Sequence, residues 1–376
     1  MICGQNLIDM KLPDQEFWEK SATSSDLDSL NYAQNVFSIL GEGASVKMKA
    51  QVPLMTSLPE NCPSLLFSTS GTSGIPKHCL HTFAGLEKAF DRLKIFLNDQ
   101  RPLNTINCLP IHHVGGWMQV MRAWFSGGSV IFADYKDLAH PDNGGLCARR
   151  YLSLVPTQLY ELLKSKHGIT NLRRCKGIFI GGAHLSSELC QKARDAKLPI
   201  YVCYGMTETA GMVTILGKED FSKGVKGVGQ PMQGVLMRLD QDNRICLKCP
   251  GLVVNAKNSC AADQDWFVTS DVGKEDNGYW EIIHRVDRVI NTGGKKVIPD
   301  LVEKKILEFP TVKSCLVSPI NDIKWGQRVV AYITPESVNK KKLLEFLKSS
   351  LSSYEIPKEL FTVENLETTE EGGWKR

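Results

Sequence analysis

The run Thr69-Ser-Gly-Thr-Ser-Gly-Ile-Pro-Lys77 has the composition of a loop that binds phosphate. Glycines such as Gly71 and Gly74 let the backbone curl close to an anion, and successive N–H groups then form a nest for its oxygens. Hydroxyl donors come from Thr69, Ser70, Thr72 and Ser73, and Lys77 adds a positive charge. The Gly-Lys-Ser/Thr order of the Walker P-loop is absent. The structural alternative is a flexible Ser/Gly surface loop.

Strand-like and helical segments alternate around this loop, and they must position it. Apolar residues at helical spacing predict a helix over Phe83–Asn98, and Pro156 marks the start of another. Short apolar runs predict strands at 64–68, 105–109, 129–132, 150–155, 177–180 and 200–203. Strands separated by helices indicate parallel βαβ units, so we expect an α/β fold with layered, doubly wound sheets.

The pattern changes twice in the second half of the chain. After Gly224, short strands broken by Gly, Pro, Asp and Asn indicate a small barrel-like subdomain. Beyond His284–Arg288 the chain predicts a compact α+β unit, with a turn at 292–294, helices at 300–309 and 341–351, and strands at 314–317 and 327–333. We therefore expect a large N-terminal domain over 1–284 and a small C-terminal domain over 288–376.

Composition excludes several classes of protein. With 376 residues, two or more domains are expected, and a net charge of +4 does not indicate a nucleic-acid binder. No signal peptide and no run long enough to cross a membrane is seen, so a cytoplasmic location is expected. The 12 cysteines lack zinc spacing, and even Cys246 and Cys249 would fall on opposite faces of a strand, so buried reduced thiols are expected. The sequence indicates no particular oligomeric state.

The phosphate-loop run resembles that of the adenylate-forming superfamily, which includes acyl-CoA synthetases, luciferases and peptide-synthetase adenylation domains. Further runs match the same family in the right order. They are Pro110–Gly116, Gly181–Ala183, Tyr204–Glu208, Val228–Pro231, Thr269–Asp271, Arg285–Asp287 with Gly293–Gly294, and Trp325–Ala331. Each run alone has a plain structural reading, such as a core tyrosine, a helix N-cap or an exposed acid, but their order favours the family.

The resemblance implies ATP, Mg²⁺ and coenzyme A as ligands and an acyl-adenylate as intermediate. It implies that Tyr204 stacks on adenine, that Thr207 donates to the α-phosphate and that Glu208 holds Mg²⁺. It also implies that Asp271 accepts the ribose hydroxyls and that Arg285 reaches the ribose or phosphate side. Further nucleotide contacts are implied at Gly182, Ala183 and Gly205.

Within the superfamily, the chain is most similar to the o-succinylbenzoate–CoA ligases of menaquinone biosynthesis, on the residues 109–117, Met121-Arg122 and 153–159. The resemblance places His113 in the acyl pocket, where it would gate the second nucleophile, and lines that pocket with Gly116 and Gly181. A substrate with two carboxylates needs a cation for the second one, and Arg122 is the candidate. The alternative for Arg122 is a surface arginine on an amphipathic helix.

The resemblance also implies a mobile C-terminal domain. Asp287 matches the hinge, and Gly293 and Gly294 match the channel for the pantetheine arm of CoA. The chain departs from the family at its end, where Gly373 stands at the position of the adenylation lysine, so Lys375 is the candidate replacement. It also departs at its front, which is shorter than in the family. Two other functions therefore stay open: another acyl- or aryl-CoA ligase, and a nucleotide- or acyl-binding protein with impaired adenylation.

Overall fold

The computed structural model describes residues 8–11, 54–57, 63–69, 77–111, 113–253, 259–260, 263–335, 337–364 and 366. They fall into two compact units. Unit 1 takes in residues up to Met237 together with Leu247–Phe267 and Asp276–Trp280. Unit 2 takes in Arg238–Cys246, Val268–Glu275 and the residues from Glu281 onward.

An eight-stranded sheet forms the centre of unit 1. Its strands are β1 (Ile8–Lys11), β5 (Thr105–Asn107), β6 (Ser129–Phe132), β7 (Tyr151–Leu154), β8 (Gly177–Ile180), β9 (Ile200–Met206), β10 (Gly211–Leu216) and β11 (Gln230–Pro231). They lie in the order β1-β6-β5-β7-β8-β9-β10-β11. The five strands from β6 to β9 are parallel, which confirms the βαβ prediction, and the flanking pairs are antiparallel.

Helices connect these strands. They are α1 (Phe83–Leu97), α2 (Val114–Ser126), α3 (Gly144–Cys147), α4 (Pro156–Leu162), α5 (Lys166–Leu172), α6 (Ser187–Asp195) and α7 (Lys218–Ser222). Helix α1 begins where the Thr82 side chain accepts a hydrogen bond from the Gly85 N–H, and it ends at Asn98 in the left-handed conformation. One core cluster packs apolar residues of β5, β7, β8 and β9 against helices α4 to α6.

The two ends of the phosphate-loop run, Thr69 and Lys77, belong to a small antiparallel sheet of unit 1. Its strands are β2 (Leu54–Ser57), β3 (Pro63–Thr69) and β4 (Lys77–Thr82). Thr69 and Lys77, the first and last residues of the run, are register partners in the antiparallel pair of β3 and β4. Ser70, Gly71, Thr72, Ser73 and Gly74 lie outside the described residues, and so do the side chains of Thr69 and Lys77.

A third sheet follows in the sequence, where short strands were predicted. It contains β12 (Leu236–Leu239), β13 (Arg244–Lys248), β14 (Ser259–Cys260), β15 (Asp263–Asp276) and β16 (Tyr279–Arg285). The order is β12-β13-β15-β14, and β16 also pairs with β15. The 14-residue strand β15 thus has three partners, so the sheet is branched.

The C-terminal part of unit 2 is the predicted α+β fold. Its elements are β17 (Ile290–Thr292), β18 (Lys295–Val297), α8 (Pro299–Leu307), β19 (Ser314–Asp322), β20 (Gly326–Thr334), α9 (Lys340–Lys348) and β21 (Glu359–Thr362). The order β18-β17-β20-β19, with β21 parallel to β20, gives one sheet with its own core. Strand β19 is longer than predicted, because it pairs with β20 along its whole length.

The nine cysteines whose side chains the structure describes form no disulfide with one another, and six of them are buried, among them Cys246. The described residues contain no group of three or more His, Cys, Asp or Glu placed to hold a metal ion. Within the described ranges, no helix is both long and apolar enough to cross a membrane.

Candidate active site

The run Tyr204–Glu208 lies at the carboxyl edge of the parallel sheet. Strand β9 extends through Met206, three residues beyond the predicted end, because β10 pairs with it there. A 3₁₀ turn, Thr207–Thr209, follows and ends at Ala210 with φ of 54°. A Cβ at Gly205 would lie 2.0 Å from the Gly211 carbonyl oxygen, so only glycine fits beside β10 at this point. This edge of parallel strands is where ligands of open α/β sheets bind.

The Thr207–Thr209 turn is stabilised from inside by one hydroxyl. The buried Thr209 Oγ1 accepts a hydrogen bond from the Met206 N–H at 3.1 Å and donates to the Gly211 carbonyl at 2.6 Å. The Met206 amide and the Gly211 carbonyl are therefore satisfied locally. The half-buried side chains of Thr207 and Glu208 take no part in these contacts.

The Glu208 carboxylate makes no ion pair or hydrogen bond with a described residue, so its oxygens are available to a cation. One carboxylate without other protein ligands suits Mg²⁺, which keeps several waters and takes its remaining oxygens from substrate phosphates. The donor set in the described part of the chain therefore fits a Mg²⁺ that arrives with a nucleotide.

His81, on β4, contacts the same turn and was not predicted. Its Nε2 lies 2.6 Å from the Thr207 carbonyl oxygen, which requires Nε2 to carry the proton. The side chain is 0% exposed, and its Nδ1 has no hydrogen-bond partner within the described residues. Burial, together with the positive charge of Arg92, lowers the pKa of His81, although the bond to Thr207 opposes this.

Arg92, on α1, is a second residue that the sequence did not single out. Its guanidinium donates to the carbonyls of Thr209 at 2.7 Å, Pro250 at 2.9 Å and Met212 at 3.4 Å. The residue is 3% exposed, and burial lowers its pKa. The one sequence signal was its place beside the apolar stripe of α1, three residues after Ala89, where a charge is unexpected.

The glycines of the Gly181–Ala183 run follow β8 at the same edge. The Gly181 N–H donates to the Leu154 carbonyl of the neighbouring strand, and Gly182 has φ of 81°. A Cβ at Gly181 would make ordinary contact with Cys203 at 3.4 Å, so the neighbouring atoms do not exclude a side chain at this position. Gly182 and Ala183 are exposed.

His113 and Gly116 lie at the start of helix α2, beyond the carboxyl end of β5. His113 is the N-cap residue, but its side chain does not cap the helix, and it is partly exposed. A Cβ at Gly116 would lie 2.2 Å from the Pro110 carbonyl oxygen. The helix start can therefore approach the preceding loop only with glycine at 116.

Arg122 is buried, so the alternative of a surface arginine is wrong. It is 5% exposed, its guanidinium lies 5.4 Å from the centroid of the Phe179 ring, and Nη1 is 3.4 Å from the Ser153 hydroxyl. No carboxylate of the described chain pairs with it, and its buried Nε has no hydrogen-bond partner there. Burial lowers its pKa to about 10, so it stays charged at neutral pH.

Unit 2 carries the other residues with expected nucleotide contacts. Asp271, on β15, is 4% exposed, and Arg285 Nη1 lies 3.3 Å from its Oδ1. The same guanidinium donates to both carboxylate oxygens of Asp287, at 3.0 and 2.8 Å. Arg285 thus links Asp271, which is expected to bind the ribose, to Asp287, the expected hinge residue.

Gly293 and Gly294 form the two-residue turn between β17 and β18, with φ of 55° and 76°. These values suit the hairpin turn that favours glycine at both central positions. A Cβ at Gly293 would also lie 2.5 Å from the Trp325 ring, whereas nothing lies within 4 Å of one at Gly294. Lys375 and Gly373 lie outside the described residues.

Comparison with known families agrees with this geometry. Residues 9–256 match the AMP-binding enzyme family, and residues 301–372 match the AMP-binding enzyme C-terminal domain. The chain belongs to the AMP-binding enzyme family. The first match covers more than half of the chain, and it contains the phosphate-loop run, Arg122 and the Thr207–Thr209 turn.

Among its relatives, this AMP-binding enzyme is similar to two 2-succinylbenzoate–CoA ligases. The Bacillus subtilis protein is 24% identical over 92% of this chain and 74% of its own length. The Escherichia coli protein is 30% identical over 77% of this chain. The chain spans only 62% of the length of the E. coli relative.

A solved structure shares the fold. It is the o-succinylbenzoate coenzyme A synthetase of Bacillus subtilis in complex with ATP and magnesium ion, with a TM-score of 0.69 and 23% identity. The match covers 95% of this chain and 79% of that one. The likeness confirms the α/β fold that the sequence predicts.

Proposed function

We propose that this AMP-binding enzyme is an AMP-forming carboxylate–CoA ligase with o-succinylbenzoate as its acid. The observation that carries the choice of acid is the buried Arg122 guanidinium, which has no carboxylate partner in the described chain. A buried arginine without a counter-ion is costly, and a substrate carboxylate would remove that cost. An acid with a second carboxylate fits this need, as the names of the two relatives also suggest.

The nucleotide end of the reaction is assigned from the turn after β9. Glu208 would hold Mg²⁺, which neutralises developing charge on the phosphates when bound. Thr207 would donate to the α-phosphate, and Tyr204 would stack on adenine. The residues 69–74, Lys77, Gly182, Ala183 and Gly205 would surround the phosphates and base, and Asp271 and Arg285 would bind the ribose side.

Residues of α2 and of the segment at the end of β8 would then form the site that binds the acid. Arg122 would orient the substrate by its second carboxylate, so that the first carboxylate attacks the α-phosphate in line and pyrophosphate leaves. Gly181 would leave room for the aromatic acid, whereas Gly116 would shape the pocket by letting the start of α2 approach the loop at Pro110. His113 would line the pocket and gate the approach of the CoA thiol, which displaces AMP in the second step.

The second step is proposed to use the C-terminal domain over 288–376, with Asp287 as its hinge and 1–284 as the N-terminal domain. Gly293 and Gly294 would lie along the pantetheine arm. Lys375 would take the place of the adenylation lysine that is missing at Gly373. A cytoplasmic location fits an acid, ATP and CoA as substrates.

The deciding experiment is pyrophosphate release from ATP with o-succinylbenzoate, with and without CoA, on the purified chain. Release followed by a CoA thioester supports the proposal, and a Lys375→Ala variant then shows whether Lys375 serves adenylation. If no release occurs but pre-made acyl-adenylate still yields thioester, adenylation is impaired by Gly373, and Gly373→Lys should restore it. Faster release with another acid in a panel of aryl and alkyl acids would refute the choice of substrate.

A further inference from the structure

The Thr207–Thr209 turn is held from outside by one hydrogen bond to each of its three consecutive carbonyl oxygens. The Thr207 carbonyl lies 2.6 Å from His81 Nε2, and the Glu208 carbonyl accepts from the Val253 N–H at 2.9 Å. The Thr209 carbonyl accepts from Arg92 Nη2 at 2.7 Å. The three donors come from β4, from the loop after Pro250 and from α1, so separate segments fix the backbone on both sides of Glu208.

Arg92 makes two further hydrogen bonds besides the one to the Thr209 carbonyl. Its other nitrogens reach the Pro250 and Met212 carbonyls, so one guanidinium ties the turn to the loop that carries Val253 and to strand β10. Only the planar fork of arginine offers this many donors in fixed directions, and a lysine ammonium on a flexible stem does not.

The cost of this arrangement indicates that it serves more than packing. Arg92 is 3% exposed, and no carboxylate in the described part of the chain pairs with it. An apolar side chain of similar volume would avoid the desolvation of a buried charge. What the guanidinium adds is a fixed position for backbone that carries a single carboxylate, Glu208.

We propose that Arg92 and His81 are positioning residues that fix the Glu208 carboxylate for Mg²⁺. This inference rests on the proposed role of Glu208. With one carboxylate available among the residues that the structure describes here, the metal site depends on where that carboxylate lies relative to the nucleotide phosphates. A turn held at three successive carbonyls keeps Glu208 in place before the nucleotide arrives.

The test uses Arg92→Lys, with Arg173→Lys as the matched control. Arg173 also donates to a backbone carbonyl, that of Ala196 at 2.7 Å, but it lies outside the turn. Hydrogen–deuterium exchange of the ligand-free protein should show amides of 204–212 exchanging about tenfold faster in Arg92→Lys and unchanged in Arg173→Lys. Calorimetric titration with ATP at varied Mg²⁺ should show about a tenfold higher Mg²⁺ requirement, with little change in ATP binding without Mg²⁺.

His81 provides a second pair of variants if Arg92→Lys does not fold. His81→Phe removes the donor to Thr207, whereas His81→Gln keeps one, so Gln should rescue the Mg²⁺ requirement that Phe raises. Faster exchange with an unchanged Mg²⁺ requirement, or unchanged exchange in both Arg92→Lys and His81→Phe, would overturn the inference. A wild-type chain whose ATP binding does not respond to Mg²⁺ would refute the role of Glu208 itself, and the inference with it.

Discussion

The guanidinium of Arg122 lies against the face of Phe179, with Cζ 5.4 Å from the ring centroid, inside the protein and not on its surface. The ring face attracts the cation but supplies no hydrogen-bond acceptor. The positive charge of Arg122 is therefore only partly compensated. Arg122 belongs to α2, at the side of the sheet where we expect the acid to bind.

Replacing Arg122 with Met should separate substrate recognition from stability. The KM for o-succinylbenzoate should rise about 10- to 100-fold, the effect of losing a charge-assisted bond worth about 1.5–3 kcal/mol. The KM for an aryl acid with one carboxylate should stay the same. The melting temperature should not fall, because an unpaired buried cation is replaced by an apolar side chain. Steady-state kinetics and thermal melts, with Arg173→Met as control, measure both effects, and equal KM changes for the two acids would remove Arg122 from the pocket.

Glu208→Gln should impair adenylation without destabilising the fold. The amide keeps the shape of the side chain but loses the charge that binds Mg²⁺, so pyrophosphate release should fall at least about 100-fold. The Val253 N–H still donates to the carbonyl of residue 208, so the melting temperature should match that of the wild type. Glu188→Gln, on the exposed face of α6, is the control. Near-normal pyrophosphate release would contradict the Mg²⁺ role.

His81 should make stability fall at acid pH. Its pKa is lowered in the folded protein from the ordinary value of 6.5. Between pH 6.5 and the lowered pKa, His81 is therefore protonated in the unfolded chain but not in the folded chain. The free energy of unfolding falls as the pH is lowered through this range. The loss is at most about 1.4 kcal/mol per pH unit. Denaturant melts at pH 7.5, 6.5 and 5.5 should show a flatter dependence in His81→Gln but not in His167→Gln, an exposed histidine. Parallel curves for all three proteins would show that His81 protonates freely in the fold.

Gly205→Ala should disrupt the carboxyl edge of the parallel sheet, where we expect the nucleotide to bind. The added methyl group would overlap the Gly211 carbonyl oxygen, so β9 and β10 must separate, at a cost of about 1–3 kcal/mol or more. Both the melting temperature and the affinity for MgATP should fall. Gly145→Ala is the control, because a Cβ there meets nothing within 4 Å. A variant that binds MgATP normally would show that the turn after β9 tolerates this displacement.

The sequence predicted most of the elements, but it missed features that depend on distant partners. Strand β9 was expected to end at Cys203, yet pairing with β10 carries it to Met206. Helix α8 ends at Leu307, before the predicted Phe309. The end of β9 is set by a neighbouring strand, which local propensity does not contain, whereas α8 stops before Phe309, the residue that precedes Pro310.

The candidate site shows the same division. Glu208 and Thr207 were recognisable because a motif surrounds them, whereas His81 and Arg92 contact backbone carbonyls and belong to no motif. The burial of Arg122 was also undecided, because an amphipathic helix allows either face. Sequence reasoning provided the residues expected to contact ligands, and the structure added the residues that hold their backbone.

The contact between His81 and the Thr207 carbonyl joins residues 126 positions apart, and Arg92 reaches Pro250 across 158. Closing such long loops is entropically costly and comes late, whereas the cap of α1 at Thr82 forms within one turn of helix. During synthesis, the turn that carries Glu208 therefore cannot reach its final form until the segment beyond Pro250 has left the ribosome. Early folding intermediates of this enzyme should have their strands and helices in place before they gain the capacity to bind MgATP.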